Sequence, residues 1–379
     1  MEAFYEETFR HTLPVCIIYT FFYGSVFVSG LLGNLFVLLS VAYNIQLRTT
    51  TDYMISSLAM ADLFIIVFCL PTTFINNMFL EWPLGNMACK LTTWLNSITS
   101  GASVFTLVAV TADRYLAICH TLKYTVWDSR MSFWVIGIAW ALSGLLSLPQ
   151  LFIYEQILYD YVTNEVVDPV NITSPATIYT ICSPTMDETY VFIFFNLLLT
   201  FIVPFAMIIV MYIIIFKTIS AHRSLAVDAH IRDERAKINA AKMMLTVIVG
   251  FAFCWSPLYG LHCYFIASID GLSNEYAVTY MRPIFQWLSL MSSSFNPIIY
   301  VVYSHKYRRA FHQFLLLPCR ARLGNIRRFK FYKTTATGEG NVGMIQHSKL
   351  DINTTTRTVT TICQGDDHES KKSLYVCAN

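Results

Sequence analysis

Two groups of residues in this sequence can do chemistry where the surrounding chain is apolar. Asp62, in "SLAMADLF", stands in the middle of an apolar run with no cation on its own helical turn. Asn34 of "GLLGN", Ser103, Ser292, Ser293 and Asn296 lie at comparable depth in other apolar runs. A carboxylate with amide and hydroxyl oxygens around it can hold a small hard cation such as sodium, or a proton. The same atoms can instead satisfy one another as a hydrogen-bonded network without an ion, and residue types alone admit both readings. The second group is the pair Asp113–Arg114 in "VTADRYLAIC", which ends the run from Leu95 to Ala112, where no ionisable residue occurs. No "HExxH" pair and no His or Cys cluster with metal-ligand spacing lies inside the apolar runs, so hydrolytic metal chemistry finds no ligand set there.

The elements that position these residues follow from composition. The chain has 379 residues, 55% hydrophobic and 13% charged, with a mean hydropathy of +0.50. Soluble globular chains carry roughly 25% charged residues. Seven stretches, near 14–42, 52–80, 88–118, 132–154, 188–217, 239–267 and 280–303, are long enough to cross a bilayer as helices. The first is too long for a signal-peptide core and has an acidic flank of Glu2, Glu6 and Glu7, so it reads as a retained span. The expected fold class is an all-α membrane protein, a seven-transmembrane helix bundle. No internal repeat is evident, which argues against the paired-repeat transporters. An ion-coupled transporter or channel built on Asp62 would also call for more intramembrane charge.

Lys and Arg set the expected orientation. Segment 151–187 holds Glu155, Asp160, Glu165, Asp168 and Asp187 but no Lys or Arg. The 217–242 connection carries Lys217, Arg223, Arg232, Arg235, Lys237 and Lys242. The stretch after the seventh span carries Lys306, Arg308, Arg309, Arg320, Arg322, Arg327 and Arg328. The N-terminus is therefore expected outside and the C-terminus in the cytoplasm. The expected divisions are an extracellular N-terminus 1–13, a seven-helix bundle 14–303, an amphipathic helix 304–318 and a disordered tail 319–379 with phosphorylatable "TTTRTVTT". Cys89 and Cys182 both fall on the oxidising side, where a disulfide is expected. Cys119, Cys319, Cys363 and Cys377 face a reducing compartment. Cys319, beyond a basic amphipathic stretch, is either palmitoylated or a plain thiol. Asn171 in "NIT" is a glycosylation acceptor on the outer side, whereas Asn353 in "NTT" lies on the inner side and is expected to be silent.

Prolines recur inside the spans at Pro71, Pro149, Pro204, Pro257 and Pro297. Each removes a helical hydrogen bond and is expected to bend its helix. Trp255 of "FAFCWSP" sits two residues before Pro257, as part of a pivot or as a core aromatic beside a static kink.

Asn34, "LAxAD" around Asp62, Cys89, "DRY" at Asp113–Tyr115, Trp140, Pro204 with Tyr212, "FxxCWxP" at 251–257 and "NPxxY" at 296–300 together resemble the rhodopsin-like G-protein-coupled receptors. The resemblance covers roughly residues 14–318. It implies that Asp113 holds Arg114 at rest and that Arg114 is then released toward a heterotrimeric G protein. It further implies that Tyr115 belongs to that coupling motif, that Tyr212 and Tyr300 stabilise the open form, and that Trp255 and Pro257 form the pivot. Asn296 and Pro297 belong to the same switch, and Asp62, Ser103, Ser292 and Asn296 would hold a sodium ion as an allosteric effector. "SHKYRRAFHQFL" looks like the family's short membrane-parallel eighth helix, with Tyr307, Phe311 and Phe314 on its apolar side. Arrestin and receptor kinases acting on the Thr-rich tail, and membrane lipids, are the further partners implied; nucleic acid is not.

Departures from the family narrow the ligand. Amine receptors carry an Asp 18 residues before the Arg, where this chain has Asn96. Opsins carry a retinal-linking Lys seven residues before the "NP" proline, where this chain has Leu290. "CLPTTF", "EWPLGNMACKL" and the long outer loop resemble the peptide-receptor branch containing orexin, allatotropin, neuropeptide Y-like and neuropeptide FF-like receptors. Those usually have Gln in place of Asn96 and "ICHP" in place of "ICHT". Thr72, Thr73, Asn96, Ser100, Tyr259, His262, Arg282 and Gln286 form the expected ligand pocket, with ordinary interhelical hydrogen bonding as the alternative for each. Arg282 suits a peptide carboxylate or acidic side chain, or an internal pairing with Glu275 or Asp270. A lipid or nucleotide ligand is the alternative to a peptide.

Overall fold

The computed structural model describes residues 8–120, 129–160, 165–166, 178–184, 189–222, 231–267, 277–322, 332–333, 345–348, 359–364 and 374–376. The chain divides into a unit of residues 1–312 and a second unit of residues 313–379.

In the first unit, α1 is Leu13–Tyr43, α2 runs through Thr50–Phe64, Ile65–Cys69 and Leu70–Met78, and α3 is Gly85–Cys119. Helix α4 is Ser129–Ser147 with the short continuation Gln150–Ile153, and α5 comprises Thr189–Leu197, Leu198–Ile202 and Val203–His222. Helix α6 is Ile231–Ala267, α7 joins Ala277–Met281 to Arg282–Tyr303, and α8 begins at His305 and ends at Arg322. Six of these, α1 to α6, are long and apolar enough to cross a membrane. Helix α7 departs from that pattern because its polar residues face inward. Ser289, Ser292, Ser293, Ser294 and Asn296 are buried while Ile284, Phe295, Ile298 and Val302 are exposed, so its lipid-facing side alone is apolar.

The expected 217–242 connection is mostly helix, since α5 extends to His222 and α6 starts at Ile231. Arg, Glu, Ala and Lys in "RDERAKINAAK" are good helix formers, so charge there ends the membrane segment without ending the helix. Proline acts in three ways. Pro71, Pro204 and Pro283 each follow a five-residue stretch of wide π-type helix, Ile65–Cys69, Leu198–Ile202 and Ala277–Met281. The wider turn relieves the clash between the proline ring and the preceding turn. Pro149 interrupts α4 instead of bending it, leaving the four-residue Gln150–Ile153 beyond the break. Pro257 and Pro297 lie inside unbroken helix.

Between α4 and α5 an antiparallel sheet was not anticipated. Strands β1 (Tyr154–Asp160), β2 (Glu165–Val166) and β3 (Ile178–Pro184) pair in the order β2-β1-β3, with Gln156 opposite Cys182. β-branched and aromatic residues recur in "YEQILYD" and run together in "IYTICSP", and such residues favour extended backbone.

The core of the bundle runs from Leu47 and Met54 through Leu58, Leu107 and Met244 to Trp255, with Tyr300 fully buried. Close approach is built from small residues. A Cβ on Gly101 would run into the Ser143 hydroxyl, and one on Gly33 would meet Pro297 at 2.9 Å. The Ser143 hydroxyl donates to the Ile98 carbonyl at 2.7 Å, and the Trp140 indole donates to Ser57 at 3.0 Å.

The second unit holds the end of α8 and strands β4 (Tyr332–Lys333), β5 (Ile345–Ser348), β6 (Val359–Gln364) and β7 (Leu374–Val376), antiparallel in that order. This differs from the expected tail without regular elements. The reason is local: Val359, Thr360, Thr361 and Ile362 are all β-branched and favour extended backbone.

Candidate functional site

Three levels of the bundle carry the residues singled out above. At one end, Cys89 of α3 is bonded to Cys182 of β3 with Cα atoms 5.6 Å apart. Gly85, at φ 79°, turns the chain into α3 just before it. Trp82 packs on this disulfide, its backbone N–H donating to the Thr180 carbonyl at 2.7 Å and its indole to the Gly85 carbonyl at 2.8 Å. Tyr154, at the start of β1, belongs to the same small core. Burial pushes its phenol up, and the Arg282 guanidinium pulls it partly back. Arg282 is thereby placed within electrostatic reach of the hairpin, and it also reaches His262 of α6. Glu275 and Asp270, the alternative partners for Arg282, fall outside the described residues.

The other pocket residues divide by what already holds them. The Asn77 amide donates to Gln286 Oε1 at 2.8 Å and to the Tyr23 hydroxyl at 3.2 Å, and that hydroxyl donates to the Pro283 carbonyl at 3.1 Å. Gln286 thus belongs to a network joining α1, α2 and α7. The Thr72 hydroxyl donates to the carbonyls of Phe68 and Cys69, at 2.9 and 3.0 Å, beside the π-type stretch, and Thr73 is partly buried. Asn96 Oδ1 and Ser100 Oγ are buried without a hydrogen-bond partner among the described residues. Tyr259 belongs to an aromatic column, its ring 4.6 Å from Phe201, 5.8 Å from Trp255 and 6.3 Å from His262.

At the middle level the Asn296 amide donates to Asp62 Oδ2 at 2.8 Å, both residues being buried. Asn34 Nδ2 bridges the carbonyls of Gly30 and Ser293, at 2.9 and 2.8 Å, tying α1 to α7. The Trp255 indole donates to Ser292 at 3.2 Å, and Ser292 donates to the Ser289 carbonyl at 2.6 Å. Oxygens remain over: Asn34 Oδ1, Ser103 Oγ and the Tyr300 hydroxyl are buried without a partner among the described residues. Among those residues no cluster of His, Cys, Asp and Glu could hold a metal. The donor set around Asp62 is oxygen, which fits a hard monovalent ion or water and does not fit zinc or copper.

At the end opposite the disulfide, Arg114 Nε and Nη2 donate to Asp113 Oδ2 at 3.1 and 2.5 Å. Thr51, on the first turn of α2, accepts from Arg114 and donates to the same Asp113 oxygen at 2.9 Å. The Asp113 side chain is 0% exposed and that of Arg114 11%. Arg114 is therefore largely withdrawn from water: Asp113 and Thr51 satisfy the guanidinium inside the protein. Thr49 and Asp52 form a reciprocal capping box that starts α2 and presents Thr51. Tyr212 donates to the Ala241 carbonyl on α6 at 3.2 Å. Tyr300 lies 5.7 Å ring to ring from Tyr307, which is buried against the bundle, while Phe311 packs on Phe36 at 5.3 Å. The Tyr115 hydroxyl meets His120 at 3.1 Å. Cys319 lies within α8, and Asn171 falls outside the described residues.

Tyr23, Asn77 and Thr51 were not singled out from the sequence. "TTTD" at 49–52 carries the capping-box spacing, and "NN" at 76–77 interrupts an apolar run; both were available as signals. Neither reveals its partner.

The chain matches the family of 7 transmembrane receptors (rhodopsin family) over residues 33–300, and it belongs to that family. It is thus a multi-pass membrane receptor and not an enzyme. It is 29% identical over 348 residues to the allatostatin-A receptor of Bombyx mori, across 89% of this chain and 88% of that one. It is 28% identical to the neuropeptide FF receptor 1 of Rattus norvegicus, across 81% and 72% of the two chains. It is 29% identical to the QRFP-like peptide receptor of Branchiostoma floridae, across 79% and 77%.

Proposed function

We propose that this receptor binds an extracellular neuropeptide at the disulfide end and activates a heterotrimeric G protein at the Arg114 end. The N-terminus is outside and α8 lies at the cytoplasmic face. The observation that carries the reading is the Arg114 closure: a buried ion pair braced by Thr51, at the end opposite a hairpin tethered over the bundle. Such a pair is stable until a partner replaces its contacts. Peptide binding favours the open form by differential affinity, and moving the bundle from 1:99 to 99:1 takes roughly 5.5 kcal/mol. The peptide class is supported by relatives named for peptides and by Asn96 standing where amine receptors carry an acid. Asn96 and Ser100 hold polar atoms ready for a ligand, and Arg282 offers a directional cation near the hairpin.

Sodium fits the middle level. Asp62, Ser103 and Asn296 would supply oxygens, with Ser292 shared with Trp255, and the ion would supply only charge compensation for Asp62. Glycosylation at Asn171, palmitoylation at Cys319, and arrestin and receptor kinases acting on the Thr-rich tail complete the proposal.

The test is to express the receptor and screen the peptides for which its relatives are named, reading calcium and cAMP. A peptide response is expected. A response to lipids or nucleotides alone would overturn the ligand class. Arg114→Ala is expected to abolish signalling with surface expression retained; undiminished signalling would overturn the coupling role.

A further inference from the structure

The segment before α1 lies across the edge of the bundle. Arg10 N–H donates to the Met78 carbonyl at 2.9 Å, and Leu80 N–H donates to the Thr8 carbonyl at 3.1 Å. Phe9 and Phe79 are the antiparallel pair between these bonds, their rings 5.0 Å apart. The next residue after Arg10 is buried: His11 is 6% exposed. Its ring lies 5.3 Å from Tyr19 of α1, edge to face, and 5.9 Å from Tyr280 of α7. The Cys16 thiol donates to the His11 carbonyl at 3.4 Å. On the α2 side, the Asn77 backbone is within hydrogen-bonding reach of the imidazole, and the Asn77 side chain carries the network to Tyr23 and Gln286. One imidazole therefore touches the strap and three helices at once.

We propose that His11 is the latch of an N-terminal strap closing the mouth between α1, α2 and α7, and that a proton on His11 releases it. The titratable and charged groups that face it are Arg10 on the strap, Cys16 and Tyr19 on α1 and Tyr280 on α7, with the Asn77 backbone from α2. Burial opposes an imidazolium most, and the neighbouring Arg10 opposes it further. The Asn77 carbonyl favours it less strongly, so the group is held below its ordinary value of 6.5. For a histidine held neutral by the fold, the latch is fully closed above 6.5 and weakens as pH falls from there toward the folded value. To hydrate its charge the ring has to leave its slot between Tyr19 and Tyr280. Its departure loosens the Cys16 contact, frees Thr8–Arg10 from the end of α2 and uncovers Asn77 and Gln286. The proposal goes beyond the ligand reading and does not depend on it, so each can fail alone.

The test uses the full chain, purified into phosphatidylcholine nanodiscs without ligand. Three proteins are compared: wild type, His11→Phe, and an oxidised Phe9→Cys/Phe79→Cys receptor. Directly opposed residues flanked by hydrogen bonds have Cα atoms about 4.5 Å apart, within disulfide reach. Hydrogen exchange at the Arg10 and Leu80 amides, corrected for the intrinsic pH dependence of exchange, is read at about pH 7.5 and about pH 5.5. Wild type is expected to lose protection on acidification, by at most about tenfold, the limit set by a released imidazole titrating at its ordinary 6.5 across this interval. His11→Phe and the crosslinked receptor are expected to lose none. Equal wild-type protection at both pH values overturns the proposal, as does a loss that survives in His11→Phe. If His11→Phe does not fold, the crosslinked receptor decides: a pH effect there equal to wild type overturns the latch, and its disappearance supports it.

Discussion

At the end of the bundle that carries Cys89–Cys182, the frame is fixed and some polar atoms are left unpaired; at the Arg114 end, charge is saturated and the frame is free to move. The first end is held by a disulfide, a hairpin, the Trp82 contacts and the N-terminal pairing to α2. Within it, Asn96 and Ser100 keep buried polar atoms without partners among the described residues. The second end has no covalent tie among the described residues, and its closure rests on Asp113, Arg114 and Thr51. A rigid rim with unsatisfied groups suits recognition, because a ligand gains hydrogen bonds without paying to order the site. A satisfied but non-covalent pair suits switching, because it is stable alone and yields when other contacts replace it.

The contrast can be broken at either end. Replacing both Cys89 and Cys182 by Ser removes a link between residues 93 apart. Chain-entropy arguments set its worth at about 4–5 kcal/mol in an unconstrained chain. Peptide response is expected to vanish and the melting temperature to fall; an unchanged agonist potency would mean that the rim is not held by this bond. Asp113→Asn leaves a buried guanidinium without a counter-charge, against the closed form by about 3–5 kcal/mol. Basal signalling is expected to rise many-fold with no peptide present. Basal activity at the wild-type level would move the restraint elsewhere.

Smaller changes sharpen the comparison. Gly101→Ala drives a methyl toward the Ser143 hydroxyl and is expected to cost about 1–3 kcal/mol of thermal stability. Adding Ser143→Ala should recover part of it, as melting of the purified receptors will show. Asn96→Ala and Ser100→Ala break no hydrogen bond within the described residues, so melting should stay put. Peptide potency in the calcium assay should fall about tenfold, the worth of one hydrogen bond near 1.4 kcal/mol. A stability loss with potency intact would make these residues structural. Thr51→Val keeps the shape but removes a hydroxyl bonded to both Arg114 and Asp113, about 1.5–3 kcal/mol, and should raise basal signalling less than Asp113→Asn does, with peptide potency rising in step.

Much of this was legible in the residues. Seven apolar stretches, the disulfide pair and the ordered motifs from Asn34 to Tyr300 needed no coordinates, because span length, charge sidedness and short motifs are local properties of the chain. α7 already shows where locality ends: it is amphipathic because a polar cluster gathers around Asp62, and only packing decides that its serines point inward. Gln286 and Asn96 were indistinguishable as polar residues in outer half-spans. The structure separates them, since Asn77 lies across from Gln286 and no partner among the described residues lies across from Asn96 Oδ1. Arg114 ends its apolar run, and Thr51, 63 positions earlier, is what braces it inside the protein. His11 lies outside every span, and only the fold gathers Tyr19, Asn77 and Tyr280 around it. What the sequence determined alone was which segments enter the membrane and which chemical groups they carry. Which of those groups are already satisfied depends on partners tens to hundreds of residues away, and the tertiary structure alone brings those together.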